Sequence, residues 1–201
     1  GNFIHHNHFE KKGINLCGKY TRNNTICDNY FEQCTNYAIL AEDTASNMYA
    51  RNIIIGNRTI ANICGIGFVT YQYGLTGGNT VCDNIIKNCS GGGIATTVYG
   101  GDTITNNLIE HCGYGMSINE NFVTIKNNTI RYCNVGQDLW FASPPSILEG
   151  NLYDHCTEGI EVWECMNTTF TRNTFSNNKL GVSCHLTYMT YHNYFIYNNF
   201  K

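Results

Sequence analysis

The sequence predicts an all-β chain wound as a right-handed parallel β-helix, a single-stranded solenoid of about eight to nine coils. Three observations predict it. A register of apolar, Asn, Cys and Gly positions returns every 20 to 28 residues along the 201-residue chain. Ile, Thr and Tyr, which favour strands, are abundant, and Asn and 20 Gly supply tight turns against only two Pro. Ala, Leu and Lys/Glu patterning is too sparse for long helices.

Each element follows from the repeat. Aligned on one Asn, the anchors are Asn7, Asn29, Asn57, Asn84, Asn107, Asn128, Asn151, Asn173 and Asn193. Three residues before each anchor lies an apolar position such as Ile26, Ile54, Ile104 or Ile125. Two residues after it comes Phe31, Thr59, Ile109 or Ile130. Five after it stand Cys34, Cys89, Cys112, Cys133 and Cys156, and eight after it is often Gly. Nine and eleven after it are mostly apolar, as with Ala38 and Leu40, Met116 and Ile118, or Ile160 and Val162. Each unit therefore holds three short strands, and one unit alone cannot bury its apolar face, whereas stacked units can. Counting from the strand after the Gly, the Asn residues are expected to stack as a ladder in the turn between the second and third strands. Asn tolerates a left-handed backbone there, and its amide can bond its neighbours above and below. The longer second and third repeats, around "AEDTASNMYA" and "TYQYGLTGG", predict loops that project from the rod and carry Glu42, Asp43, Tyr71, Gln72 and Tyr73.

Composition narrows the function classes. Charged residues are 13% of the chain and the net charge is -3, which argues against a nucleic-acid partner. No apolar run approaches the ~18 residues of a membrane span, and no signal peptide is visible. The eleven Cys include no C-x-x-C pair, and their column is read as packed, reduced thiols rather than a metal site or disulfide framework. His5, His6 and His8 straddle Asn7 and diverge, so no metal and no cofactor are expected. The N-x-S/T triplets, among them that of Asn57, are a by-product of the repeat, with Asn57 read as a buried ladder residue.

Units such as "VTIKNNTIRYCNVGQDL" and "DTITNNLIEHCGYGMSI" resemble the repeats of the pectate-lyase-like β-helix superfamily. The resemblance covers nearly the whole chain. It implies the fold, and a function among polysaccharide lyases, polygalacturonases and other glycosidases, epimerases, tailspikes and structural rods. Residues 1–201 are read as one β-helix domain. They begin and stop inside a repeat with no capping helix, so the expectation is a segment of a longer protein, or a homo-oligomer or additional domains covering the coil ends. The reduced Cys core suggests a cytoplasmic or anaerobic setting, whereas the family analogy suggests a secreted or cell-surface one.

The outward positions of the strand after each Gly carry the functional reading. Coil by coil they are Cys17 and Lys19, Ile39 and Ala41, Gly67 and Val69, Ala95 and Thr97, Ser117 and Asn119, Asp138 and Trp140, Glu161 and Trp163, and Ser183 and His185. The early coils are small or apolar, and the last four are polar, acidic and aromatic. Asp138 and Glu161 fall at one position of adjacent coils, and the only two Trp fall at the other. Strands about 4.8 Å apart place the two carboxyl groups near the ~5–5.5 Å used by retaining glycosidases, and mutual repulsion raises one pKa. Trp140 and Trp163 are read as sugar platforms, and Asn119, Ser183 and His185 as hydroxyl-binding groups. The acidic pair on consecutive coils resembles that of β-helix glycosidases, including the β-xylosidases of glycoside hydrolase family 120. That resemblance implies Asp138 as nucleophile and Glu161 as acid/base, with Glu120, Glu158 and Glu164 as nearby acids able to take either role. The expected function is glycoside hydrolysis of a poly- or oligosaccharide. The alternatives are a non-catalytic carbohydrate-binding or structural rod, and a lyase or epimerase. The lyase reading is weakened because none of the five Arg maps beside the acidic pair.

Overall fold

The computed structural model describes residues 1–18, 21–70, 77–97, 99–185 and 190–201. Three parallel sheets run along the rod; each of the first eight coils contributes one strand to each, and the last contributes to the first two. The first sheet stacks nine strands, from Phe3–His5 through Thr25–Cys27 to Tyr194–Ile196, and the second stacks nine, from His8–Glu10 to Asn199–Phe200. The third sheet stacks eight, from Ile14–Cys17 through Val135–Trp140 and Glu158–Trp163 to Leu180–His185. Every strand pair is in register and parallel, so like residues meet like residues on consecutive coils. Among the described residues no helix is long and apolar enough to cross a membrane.

The interior is built of columns. Ile26, Tyr49, Val81, Ile104, Ile125, Leu148 and Phe170 form one buried column, and Phe31, Ile54, Ile86, Ile109, Ile130, Tyr153 and Phe175 another. Burying a large apolar side chain contributes about 1.5–3 kcal/mol, and the columns repeat that gain in every coil. The Cys column caps the turn after the second sheet. Each thiol of the column donates to the carbonyl two residues before it: Cys89 to Lys87, Cys112 to Glu110, Cys133 to Arg131 and Cys156 to Asp154. All eleven cysteines are free thiols.

The Asn ladder is present, with two of its rungs displaced from the sequence expectation. Its members are Asn7, Asn29, Asn52, Asn84, Asn107, Asn128, Asn151, Asn173 and Asn198. Asn57 is not a rung. It lies half-exposed in the loop before Cys64–Val69, where its side-chain oxygen accepts from the Thr59 backbone N–H (2.9 Å) and hydroxyl (2.7 Å). Asn193 belongs to a second ladder at the turn entering the first sheet, which runs Asn2, Asn24, Asn47, Asn79 and Asp102, and resumes at Thr168 and Asn193. The left-handed backbone is not at the ladder Asn but one residue earlier, at Asp28, Arg51, Asp83, Asn106, Asn127 and Arg172. That residue turns its side chain outward so that the next one points in.

Two further expectations are corrected. "AEDTASNMYA" is no projecting loop, because it carries regular strands and Asn24 to Asn47 is an ordinary 23-residue step. The extra length sits in the single 32-residue step from Asn52 to Asn84, on both sides of the strand Cys64–Val69. Tyr71, Gln72 and Tyr73 lie outside the described residues. In the second coil Ile39 and Ala41 point into the core and Leu40 and Glu42 point out, because a one-residue slip exchanges the two faces of a strand. In the first coil the outward pair is Asn15 and Cys17, and Lys19 lies outside the described residues.

Candidate functional site

The outer face of the third sheet presents two parallel columns. One runs Leu40, Gly67, Ala95, Ser117, Asp138, Glu161 and Ser183, and the other Glu42, Val69, Thr97, Asn119, Trp140, Trp163 and His185. The seven residues singled out from the sequence therefore share one face, with Asp138 directly opposite Glu161 and Trp140 opposite Trp163. The column of Gly inside this sheet keeps its strands close. A Cβ on Gly136 would stand 2.5 Å from the Gly159 carbonyl oxygen, and one on Gly159 2.4 Å from that of Gly181.

Asp138 is half-buried, and its Oδ1 has no hydrogen-bond partner. Burial pushes its pKa above the ordinary carboxylate range, while hydrogen bonding from Trp140, the charge of His185 and Ser117 pull the other way. Glu161 is also held above its ordinary value, first by burial and then by the negative charges of Glu158 and Asp138. Trp163 on its own strand pulls the other way. Each acid therefore has, against its burial, the influence of the Trp two residues on, which lies on the same face.

The aromatic column is a tight stack. Trp140 and Trp163 lie 4.8 Å apart between centroids with their planes within 4°, and His185 lies 3.4 Å beyond Trp163, again within 4°. The rings thus cover one another's faces. A ligand approaching from solvent meets indole edges rather than the broad platforms expected from sequence. Ser183 Oγ stands 3.4 Å from His185 Nε2, Ser117 borders Asp138, and Asn119 is exposed beside Trp140.

The neighbouring acids separate. Glu158 opens the same strand and acts on Glu161 through its charge. Glu164 lies past the strand end on a left-handed turn, its backbone N–H bonded to the Thr190 hydroxyl at 3.0 Å. Glu120 points inward and is buried, so it belongs to the interior and not to this face. Arg51, Arg131 and Arg172 pair with Asp28, Glu110 and Glu149 on the other two sheets.

The sequence model described as the right-handed beta helix region matches residues 73–201. The chain belongs to the right-handed β-helix family. The match covers the candidate face from Ala95 onward, together with the ladders from Asn79 and Asn84 and the Cys column from Cys89. This family description specifies a fold and no reaction. No curated protein matches the chain.

Sequence reasoning missed the second ladder and its acidic rung. The signal was available: a polar residue stands five positions before nearly every true ladder Asn, as Asn2, Asn24, Asn47, Asn79, Asp102, Ser146, Thr168 and Asn193.

Proposed function

We propose that the outer face of the third sheet is a carbohydrate-active site, and that the protein is a glycoside hydrolase of poly- or oligosaccharides with Asp138 as nucleophile and Glu161 as acid/base. One observation carries the reading: two carboxyl groups, in register on adjacent strands, are both held above the ordinary range. Glu161 suits the acid, because burial and two flanking negative charges favour its protonated form. Asp138 suits the nucleophile, because Trp140, Ser117 and His185 favour its ionised form against burial. Adjacent strands about 4.8 Å apart match the spacing of a retaining pair. Asn119, Ser183 and His185 offer hydrogen bonds to sugar hydroxyls around the pair.

A panel of aryl glycosides tests this. Glu161→Gln is expected to lower kcat/KM at least ~100-fold, the usual contribution of a general acid. Turnover should fall as pH rises and Glu161 loses its proton, and fall again in acid as Asp138 gains one. Equal turnover by wild type and Glu161→Gln removes the assignment. The mutual stacking of Trp140, Trp163 and His185 favours a second reading, a non-catalytic carbohydrate-binding or structural face, which predicts retention of oligosaccharide without turnover or no effect of sugar.

A further inference from the structure

Buried oxygens without a hydrogen-bond partner gather around one corner of the rod. Among the described residues they include Asp102 Oδ2, both carboxyl oxygens of Glu120 and the Thr96 hydroxyl, and the Tyr49 hydroxyl lies within reach of the Asp102 charge. Asp102, Glu120 and Thr96 are each about 1% exposed. Orphaned polar atoms at such burial are costly, about 1–3 kcal/mol each, and a cluster of them demands a cause.

The second ladder supplies the cause. At each step a backbone N–H and a side-chain amide donate to the Asn oxygen of the next coil, as Asn24 does to Asn47 and Asn47 to Asn79. Asn79 donates in the same way to Asp102 Oδ1, at 2.8 and 3.2 Å. The next coil offers Val123 opposite Asp102, and Val has no acceptor. Glu120 comes to this gap from the turn above: its buried carboxyl feels the Asp102 charge, and neither of its oxygens nor Asp102 Oδ2 has a hydrogen-bond donor. Two carboxylates are acceptors only, so such a buried pair needs a proton between them.

We propose that Asp102 and Glu120 form a proton-binding site, in which a proton held between two buried carboxyl groups completes the ladder where asparagine runs out. The groups facing the pair are Asn79 from the preceding coil, Thr96 from the third sheet and Val123 from the following coil, with Tyr49 further along the interior. Among the described residues no Lys, Arg or His acts on either carboxyl, which leaves a proton to neutralise the pair. Burial, and for Glu120 the charge of Asp102, keeps both above the ordinary carboxylate range. The folded chain therefore holds a proton that the unfolded chain releases above about pH 4, and its stability falls as pH rises through the folded-state titration. The corner also reaches the candidate face. Glu120 follows Asn119, and its backbone N–H bonds the Trp140 carbonyl at 3.3 Å, so ionisation strains the turn beneath the Trp stack.

The test uses the full chain carrying Asp138→Asn and Glu161→Gln, which silences the carboxyl groups of the candidate face and makes the result independent of the glycosidase reading. Thermal unfolding across about pH 4.5 to 9 should show stability falling with pH, the unfolding constant rising about tenfold per pH unit for each proton retained. Adding Asp102→Asn, which keeps the acceptor for Asn79 and gives Glu120 an amide donor, should remove about one proton from that slope. An unchanged slope overturns the proposal. So does stabilisation by Ca²⁺ or Na⁺ at fixed pH that a chelator or salt removal reverses, since a cation would then hold the pair. If Asp102→Asn does not fold, infrared spectra of the parent chain decide: a protonated-carboxyl band at neutral pH that bleaches in alkali is expected, and its absence overturns the proposal.

Discussion

Asn128 illustrates how much one residue carries in this fold. Its amide donates to the Ile104 and Lys126 carbonyls and to Asn151 Oδ1, and its own oxygen accepts the backbone N–H and the amide of Asn107. Asn128→Ala orphans a buried N–H and buried carbonyls together, and the expected loss is about 3 kcal/mol or more, read from the urea midpoint. Asn57→Ala, in contrast, should move the midpoint by less than about 0.5 kcal/mol, since only a local turn bond is lost. Comparable losses at the two positions would contradict the ladder register found here. The contrast also explains why the sequence misled at this point. Asn57-Arg58-Thr59-Ile60 imitates Asn128-Thr129-Ile130 closely enough to pass as a rung, whereas Asn52 is followed by Ile53 and Ile54 and lies before the inserted length. Asn193 imitates a rung of the first ladder because both ladders use Asn, five residues apart.

At the scale of the element, the third sheet is held by glycine inside and by paired side chains outside. Gly136→Ala would push a Cβ to 2.5 Å from the Gly159 carbonyl oxygen and 2.9 Å from Tyr153 Cδ1, neither of which can yield without parting two coils. The expected cost is about 2 kcal/mol or more. Gly92 lies in the same sheet, but its added Cβ meets nothing closer than Ala95 Cβ at 3.5 Å. Gly92→Ala should therefore stabilise by about 0.4–1 kcal/mol through the unfolded chain. Denaturant melts of the two variants check both signs at once, and stabilisation by Gly136→Ala would remove close coil packing as the reason for the glycine column. The outward side of this sheet was legible wherever a Gly fixed the register, from Gly67 to His185. It was misread at Ile39 and Ala41, where the coil has Ala38 in place of Gly and the apolar residues Ile39, Leu40 and Ala41 run without alternation. The stacking of Trp140 on Trp163 and of Trp163 on His185 was not legible, because position predicts which rings are neighbours but not whether their faces meet.

Across the whole molecule, the cysteines report how the rod holds together. They are spread from the first coil to the eighth, and their exposure differs sharply: Cys17 and Cys184 are exposed, Cys64 and Cys82 are half-buried, and the other seven are buried. Each thiol of the central column from Cys89 to Cys156 donates to the carbonyl two residues before it, and burial pushes Cys165 up to about 12 and Cys34 to about 11. A thiol reagent acts on the thiolate, so the folded chain should label promptly at Cys17 and Cys184 and resist at the buried seven. In a solenoid, stability is a sum of coil terms and neighbour terms, and coils open singly only when the neighbour terms are weak. Here every boundary within the first eight coils carries three strand pairings and a rung of at least one ladder, so the neighbour terms dominate. Cys89, Cys112, Cys133 and Cys156, one in each of four consecutive coils, should consequently become reactive at one common denaturant concentration, followed by mass mapping of labelled peptides. Four separate midpoints would mean that the coils open one at a time, and that the continuous ladders do not couple them.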